Sequence, residues 1–255
     1  MLKQLFTKSG KPYRFSYASY SDPGSRPVQE DAIGIFADHE DKCFVLCDGL
    51  GGHGKGDAAS NLVVSVFRDM FASCQDASAF LDTAFLSAQD ALLKEQKRLC
   101  ASTQMKTTAV ALVTSGSSAY IAHIGDSRLY IFHHNRVLLR TLDHSIPQML
   151  VMTKEIKENE IRFHPDRNML MRVMGIPWDA PMYATMKPVP LNKCDAFLLC
   201  SDGFWELIEE RDMIAALKSS KTAQDWLDRM VSVVKRAGQG KETDNNSAIA
   251  IVCHR

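Results

Sequence analysis

Two apolar runs that each end in an aspartate constrain the fold of this chain most strongly. Residues 44–49 read FVLCDG and residues 197–203 read FLLCSDG. A short apolar run bounded by turn residues is typical of a buried strand. Each strand would therefore deliver a carboxylate to the point where it ends, either as a corner of a turn or as part of a site.

Three interpretations of the first run compete, namely a plain turn, a phosphate-binding loop and a metal site. Asp-Gly is a favoured turn dipeptide, so one such pair by itself indicates a hairpin corner. A P-loop requires Ser or Thr after its lysine, whereas GLGGHGKGD has Gly56 after Lys55. Nor does GLGGHG have the position of a dinucleotide-binding loop within a βαβ unit. Nucleotide binding is therefore disfavoured, and the turn and the metal site remain.

Other carboxylates share this placement beside strand-like runs. Asp126 follows the run IAHIG, Asp244 stands just before NSAIAIVC, and the pair Glu30 and Asp31 introduces AIGIF. Carboxylates that several strands bring together repel one another unless a cation lies between them. Carboxylate and carbonyl oxygens suit Mg²⁺ or Mn²⁺, and no histidine or cysteine cluster competes for a softer metal. Taken together, the carboxylates favour a metal site.

Strand-like and helical patterns are grouped along the chain rather than alternating. Strands are predicted in three regions, at 14–48, at 107–141, and at 196–202 with 246–253. Helices are predicted at about 58–71, 78–98 and 223–236, the first with Asp57 as its N-cap. This grouping favours an α+β domain in which antiparallel sheets pack together and helices flank them.

Bulk composition narrows the class of protein. Of the 255 residues 45% are hydrophobic, and 30 basic side chains balance 30 acidic ones. The net charge is therefore zero, and no long-range electrostatic attraction to nucleic acid or to an anionic membrane is expected. No signal peptide or membrane span is predicted. The seven cysteines form no C-x-x-C pair, which indicates reduced thiols and a cytoplasmic protein. No linker divides the chain, so one domain over 1–255 is expected.

An ordered set of motifs resembles one known family, the metal-dependent serine/threonine protein phosphatases of type 2C (the PPM family), in their compact bacterial form. The motifs are RPVQED at 26–31, CDGLGGHGKGD at 47–57, TTAVAL at 107–112, IGDSRLY at 124–130, LDHS at 142–145, HPDRNMLMRVMG at 164–175, LLCSDGFWE at 198–206 and DNNSAIAIV at 244–252. The resemblance implies a four-layer α-β-β-α sandwich with two central antiparallel sheets and a binuclear metal centre at one end of the sheets. A variable flap is expected at about 144–186.

The resemblance also implies how the metals are held. Asp48 would bridge two ions, and the Gly49 carbonyl would ligate one of them, because glycine leaves that oxygen uncrowded. Asp202 and Asp244 would complete the shell of the other ion.

Further residues receive roles from the same resemblance. Glu30 and Asp31 would act at the second metal, partly through water. Asp126, together with Asp202, would form a weaker third-metal position. Arg26 would hold the phosphate dianion through its planar fork of donors.

The implied chemistry is hydrolysis without a phosphoenzyme. Two metals lower the pKa of a shared water, and the resulting hydroxide attacks phosphorus in line. Eukaryotic members often carry a histidine after Asp-Gly, where this chain has Leu50. The proton donor to the leaving oxygen therefore stays open, with a water on the metal as the expected donor. His53 and His144 are expected to be structural.

These expectations define a phosphoserine and phosphothreonine phosphatase that requires two Mn²⁺ or Mg²⁺ ions, and a third where the weaker position is filled. Its partners would be phosphorylated proteins and a cognate serine/threonine kinase, with no nucleic acid and no membrane, and it would be a monomer. Two alternatives remain open, a catalytically weak phosphoprotein-binding regulator on the same fold and a small-molecule phosphatase. Seven of the twelve methionines fall in the flap, which predicts either an adaptable substrate surface or simple gap filling.

Overall fold

Antiparallel strands form the centre of the molecule. The structure is a computed structural model, and it describes residues 13–50, 55–74, 76–101 and 104–254. Its strands are, in chain order, β1 Arg14–Asp22, β2 Ala32–Asp38, β3 Asp41–Cys47, β4 Gly49–Leu50, β5 Lys106–Thr107, β6 Ala109–Ser115, β7 Ser118–Ile124, β8 Arg128–His133, β9 Arg136–Arg140, β10 Ala184–Thr185, β11 Val189–Pro190, β12 Ala196–Cys200 and β13 Asn246–His254.

These strands build two main sheets. One has the order β1-β13-β12-β8-β9, and the other has the order β10-β7-β6-β3-β2, with β11 paired to β7. A two-stranded ladder joins β4 to β5. Strands β1 and β13 pair along their whole length, from Arg14 opposite His254 to Asp22 opposite Asn246. The segment after β1 therefore lies beside the segment before β13, although they are far apart in the sequence.

Both apolar runs are continuous because each strand is buried on two faces. In β3, Val45 packs toward helices whereas Phe44 and Leu46 pack between the two sheets. In β12, Leu198 packs toward helices and Phe197 packs between the sheets. Three apolar clusters thus separate four layers, α-β-β-α. The predicted α+β sandwich is confirmed.

The helices form the outer layers. They are α1 Gly56–Phe71, α2 Ala77–Arg98, α3 Ile146–Met152, α4 Asp202–Trp205, α5 Glu210–Lys218 and α6 Ala223–Gly238, with 3₁₀ turns at Glu158–Phe163 and Leu191–Lys193. Helices α1 and α2 share an apolar cluster with the β3 sheet, and α5 and α6 share one with the β12 sheet. None of the helices in the described part of the chain is both long enough and apolar enough to cross a membrane.

The prediction of Asp57 as the N-cap of the first helix was wrong. Helix α1 begins at Gly56, and Lys55 is its N-cap without a side-chain capping bond. Asp57 lies in the first turn, where its negative charge complements the positive end of the helix dipole. Its carbonyl accepts hydrogen bonds from Ser60 and Asn61. Gly56 and the start of α1 pack against Gly49, so the helix begins earlier than apolar periodicity predicts.

The predicted flap contains α3, the first 3₁₀ turn and β10. Exposed methionines cover part of it, with relative accessibilities of 42% at Met149, 69% at Met152, 55% at Met169 and 50% at Met171. Met174 is instead fully buried against the α1–α2 layer. Met174 thus fills a gap in the core, and the exposed methionines leave the predicted adaptable substrate surface a prediction.

Candidate metal centre and phosphate cleft

Asp48 is held at the end of β3 by two threonines of the neighbouring strands. The Thr107 hydroxyl and the Thr108 backbone N–H each donate to the Asp48 carbonyl at 2.8 Å. The Asp48 N–H donates in turn to the Thr108 hydroxyl at 3.1 Å. These bonds fix the backbone of Asp48, so its carboxylate can move only by rotation about the side-chain bonds.

Gly49 lies where two loops and the start of α1 come together. A Cβ on Gly49 would lie 2.3 Å from the Gly56 carbonyl oxygen, a distance that no side chain can adopt. The Gly49 N–H donates to the Glu30 carbonyl at 3.1 Å. The Ser60 hydroxyl of α1 donates to the same carbonyl at 2.6 Å. Close backbone approach, and not only a turn, therefore requires glycine after Asp48.

Asp31 is buried and only half satisfied. The Ser201 hydroxyl donates to Asp31 Oδ2 at 2.8 Å, and the same hydroxyl accepts the Ser247 N–H at 2.9 Å. Asp31 Oδ1 is buried without a hydrogen-bond partner. An unpartnered buried carboxylate oxygen is costly, and it marks a position for a proton, water or cation.

Asp244 is paired with Arg26 across the junction of β1 and β13. Arg26 Nη2 donates to Asp244 Oδ2 at 2.6 Å, and the Asn245 N–H donates to Oδ1 at 2.8 Å. The side chain of Asn245 accepts the Glu30 N–H at 2.8 Å. Asn245 therefore ties the Asp244 segment to the loop that carries Glu30.

Asp202 and Asp126 are the last two carboxylates of the predicted set. Asp202 is the first residue of α4, and its Oδ1 accepts the Gly203 N–H at 2.6 Å. Asp126 is 4% exposed, and its carbonyl accepts the Trp205 indole N–H at 3.0 Å. Both aspartates follow buried strands, as the sequence predicts.

Burial and mutual repulsion raise the pKa values of five of these carboxyls. Burial, followed by the nearby charge of Asp202, raises the pKa of Asp48 and that of Asp126 well above the usual range. Burial and Asp244 raise the pKa of Asp202 to about 6. Burial raises the pKa of Asp31 to about 7, and it also raises the pKa of Glu30. The structure therefore brings together the predicted carboxylates closely enough that each disfavours ionisation of the next.

The carboxylates fit a divalent cation chemically but are not yet arranged around one. All candidate donors are oxygens, which suits Mg²⁺ or Mn²⁺. Within the described ranges, no three Asp, Glu, His or Cys side chains are already arranged to hold a metal ion. Arg26 and the Gly203 amide instead occupy oxygens of Asp244 and Asp202. Each carboxylate still has lone pairs that a cation could use beside these hydrogen bonds.

A cleft of about 420 Å³ adjoins Arg26, Asp202 and Asp244. It is also lined by Arg167 and Glu206, whose side chains are 2.7 Å apart between Nε and Oε1. Burial, and then the charge of Asp202, raise the pKa of Glu206 to about 7. Neither residue received a role from the sequence, although both stand inside the motifs HPDRN and SDGFWE.

The sequence also gave no role to several residues that position the carboxylates. Thr107, Thr108, Ser201 and Asn245 position the carboxylates through the bonds described above. Ser201 and Asn245 each stand next to a candidate carboxylate in the sequence, whereas Thr107 and Thr108 belong to the motif TTAVAL, which carries no candidate residue.

The histidines do not enter the cleft in the described residues. His144 stacks on His123 with 4.8 Å between ring centroids, and its Nδ1 accepts the Gly125 N–H at 3.2 Å. Burial lowers the pKa of His144 to about 3, so the ring is neutral near pH 7. These contacts support the structural role expected of it. His53 lies outside the described residues.

Comparisons with known proteins agree with this architecture. The sequence model of the family described as Protein phosphatase 2C matches residues 24–244. The serine/threonine phosphatase stp of Listeria welshimeri is 31% identical over 236 residues, which cover 89% of this chain and 90% of that protein. The PstP phosphatase of Mycobacterium tuberculosis is 29% identical over 87% of this chain and 42% of its own length.

Solved structures are similar as well. The structure of the phosphatase Stp1 from Staphylococcus aureus has a TM-score of 0.86 at 27% identity, covering 95% of this chain and 96% of that one. The catalytic domain of PstP in complex with two manganese ions has a TM-score of 0.78 at 25% identity, covering 94% and 99%. These matches confirm the family resemblance of the motifs. The chain therefore belongs to the protein phosphatase 2C family and is a metal-dependent protein serine/threonine phosphatase.

Proposed function

We propose that this phosphatase hydrolyses phosphoserine and phosphothreonine esters of proteins in the cleft beside Arg26, and that two Mn²⁺ or Mg²⁺ ions are bound there. One observation carries the proposal, the convergence of carboxylates from the ends of both sheets. Burial first, and then the charges of neighbouring carboxylates, raise the pKa values of Asp48, Asp126 and Asp202, and bound cations would offset both effects. The related PstP domain, which contains two manganese ions, supports the number of ions.

When bound, two such cations lower the pKa of water and screen the charge of the phosphoryl group. Asp48 would contact both ions, the Gly49 carbonyl would contact one, and Asp202 and Asp244 would contact the other. The outer positions would be held by Glu30 and Asp31, partly through water, and a third ion by Asp126 with Asp202.

Arg26 would bind the phosphoryl oxygens. Its side chain is 58% exposed at the mouth of the cleft, and its guanidinium donates to Asp244 in the structure. Engagement of Asp244 by a cation would leave the fork of Arg26 available to a dianion. Arg167 lines the same cleft and would add positive charge on the flap side. Leu50 can neither donate nor accept a proton, so a water on a bound metal is proposed as the donor to the leaving oxygen.

The wider biological role follows from this chemistry. Phosphoserine and phosphothreonine arise by kinase action, so a cognate serine/threonine kinase is proposed as the partner reaction. The buried thiols of Cys43, Cys47 and Cys200 support a reducing, cytoplasmic location. We also propose one catalytic domain over 1–255, acting as a monomer, with the flap at about 144–186 adapting to phosphoprotein substrates through its exposed methionines.

The decisive experiment compares two substrates with and without metal. The native protein should hydrolyse both p-nitrophenyl phosphate and a phosphothreonine peptide with Mn²⁺, and should lose both activities in EDTA. Asp202→Asn should lower both by roughly 100-fold or more and weaken Mn²⁺ binding measured by calorimetry. Asp90→Asn, on the exposed face of α2, is the matched control and should change neither.

Contrary outcomes point to the alternatives. Full activity in EDTA, or in Asp202→Asn, would contradict a metal centre at these carboxylates. Hydrolysis of p-nitrophenyl phosphate without hydrolysis of the peptide would indicate a small-molecule phosphatase. Binding of the peptide without turnover of either substrate would indicate a regulator.

A further inference from the structure

A second cavity, of about 650 Å³, lies apart from the carboxylate cleft. Strands β8 and β9, the 3₁₀ turn Glu158–Phe163 and the start of α5 supply its walls. Four basic side chains line it, namely Arg128, Arg140, Lys157 and Arg162. Three glutamates, Glu158, Glu209 and Glu210, line it as well, and the proposed hydrolysis uses none of these side chains.

Two of these arginines are already neutralised by acidic neighbours. Arg128 and Asp143 form a buried pair with 2.6 Å between Nη2 and Oδ2. Arg140 donates to Asp143 at 3.1 Å and also pairs with Glu158. These arginines are rigid parts of the wall.

Arg162 is different because its hydrogen-bonding capacity is not filled. Its Nη2 reaches the two oxygens of Glu210 only at 3.3 and 3.4 Å, at the long end for a charged pair. Its Nη1 is buried with no hydrogen-bond partner. The side chain as a whole is 11% exposed. A buried donor without an acceptor is unfavourable, and a ligand oxygen at Nη1 would satisfy it.

Lys157 adds a second cation on the same side of the cavity. It stands at the beginning of the 3₁₀ turn that carries Arg162, and its side chain is exposed. A planar guanidinium with an open edge and a mobile ammonium group together suit a phosphate-type dianion.

Part of the remaining wall is apolar, next to Tyr130, Asn159 and Glu209. Val137 and Ile161 line the cavity, and Phe163 stands at its rim with 78% of its surface exposed. An exposed phenylalanine offers a face for an aromatic or aliphatic group. The volume lies within the range of about 300–1,000 Å³ that is usual for small-molecule sites. The lining therefore fits an organic anion better than an inorganic one.

Trp205 connects this cavity to the Asp126 loop. The Arg128 guanidinium carbon lies 3.4 Å from the Trp205 ring centroid, and that of Arg162 lies 5.5 Å from it. The indole N–H donates to the Asp126 carbonyl at 3.0 Å. Trp205 therefore contacts both the cavity's arginines and the Asp126 loop, and the resonance of its indole N–H should respond to a change on either side.

We propose that this cavity is a second ligand site, which binds a phosphate-bearing organic anion through Arg162 and Lys157. The site goes beyond the hydrolysis proposed above. Its ligand is held behind Trp205 and is not the phosphoryl group that is cleaved.

The test uses phenylphosphonate, whose C–P bond a phosphatase does not hydrolyse. Calorimetric titration in EDTA should detect binding, and methylphosphonate should bind several-fold more weakly because it lacks the ring. Arg162→Gln should weaken phenylphosphonate binding at least tenfold, because it removes a charged donor. Lys157→Gln, at an exposed position that leaves folding intact, should weaken it several-fold. Arg229→Gln, at an exposed position of α6, is the matched control that should leave it unchanged, and Arg26→Gln reveals any binding in the cleft instead.

A second measurement places the ligand in space. Phenylphosphonate should shift the indole N–H resonance of Trp205, identified from its loss in Trp205→Phe, and leave that of Trp178 in place. Binding that survives both Arg162→Gln and Lys157→Gln, binding lost only in Arg26→Gln, or an unmoved Trp205 resonance would overturn the proposal. If Arg162→Gln fails to fold, Lys157→Gln decides. Because no turnover or metal is involved, the result is independent of the proposed hydrolysis.

Discussion

Replacing Asp202 by asparagine should stabilise the metal-free protein while abolishing its activity. The Asp202 carboxyl has its pKa raised from 3.8 to about 6 by burial and by Asp244. At 1.36 kcal/mol for each pKa unit, ionisation of this group opposes folding by about 3 kcal/mol. Asparagine keeps an oxygen for the Gly203 N–H and removes the charge. A gain of about 1–3 kcal/mol in the free energy of unfolding is expected at pH 8 in EDTA.

The sign of the pH dependence follows from the raised pKa. The unfolded chain loses this proton near pH 3.8, whereas the folded protein keeps it until about pH 6. Native stability therefore falls as the pH rises between these values, and the asparagine variant escapes this loss. Below pH 3.8 the carboxyl is protonated in both states, so the advantage of the variant should disappear.

Urea unfolding followed by far-UV circular dichroism measures this difference. Native protein and Asp202→Asn are compared in EDTA at pH 8 and at pH 3.5, with Asp90→Asn as the exposed control. Added Mn²⁺ should reverse the order at pH 8, because a ligand stabilises the state that binds it. A variant that is less stable than native protein in EDTA at pH 8 would refute repulsion among the carboxylates.

Three further predictions test the supports of the site. Thr107→Val removes the hydroxyl that donates to the Asp48 carbonyl, and it should cost about 1 kcal/mol in urea unfolding and weaken Mn²⁺ binding about 10–100-fold by calorimetry. Gly49→Ala places a Cβ 2.3 Å from the Gly56 carbonyl oxygen and should lower the free energy of unfolding by about 3 kcal/mol. Gly116→Ala, where φ is +55° and the space is open, should lower it by only about 1 kcal/mol in the same assay. Equal losses of stability would contradict the steric reason. Burial lowers the pKa of His144 to about 3, so below about pH 6.5 the unfolded chain takes up a proton at this histidine that the folded protein does not. Native stability should therefore fall as the pH decreases from 6.5 to 3. His144→Asn should make that fall shallower in urea titrations at pH 7.5 and 4.5, and an unchanged slope would contradict it.

Local patterns predicted the elements because burial leaves a direct mark on composition. β3 and β12 are continuous apolar runs, since one face of each packs on helices and the other on the opposite sheet. The 3.6-residue periodicity predicted α1, α2 and α6 to within about two residues at most ends. The start of α1 was misplaced because Gly49 and Gly56 pack backbone to backbone, a long-range contact that leaves no periodic signal.

Partnerships across the chain could not be predicted from local pattern. Ser201 donates to Asp31 across 170 positions, and Arg26 pairs with Asp244 across 218. The Arg26 partnership depends on β1 lying beside β13, which is a property of the sheet order. For the same reason, the pairing of Arg167 with Glu206 in the cleft could not be predicted, because it depends on how the flap packs beside the end of α4.

The amino-acid sequence by itself determined which residues end buried strands as carboxylates, because strand burial and Asp-Gly turns are encoded within a few neighbouring positions. Its ordered motifs determined the family as well. Only the tertiary structure decided how those carboxylates face one another, which of them are held by Arg26 or by backbone amides, and where the second cavity with Arg162 and Lys157 opens behind Trp205. Charge repulsion, burial and hydrogen-bond partnership are properties of distances between segments remote in sequence, and the packing of two sheets sets those distances.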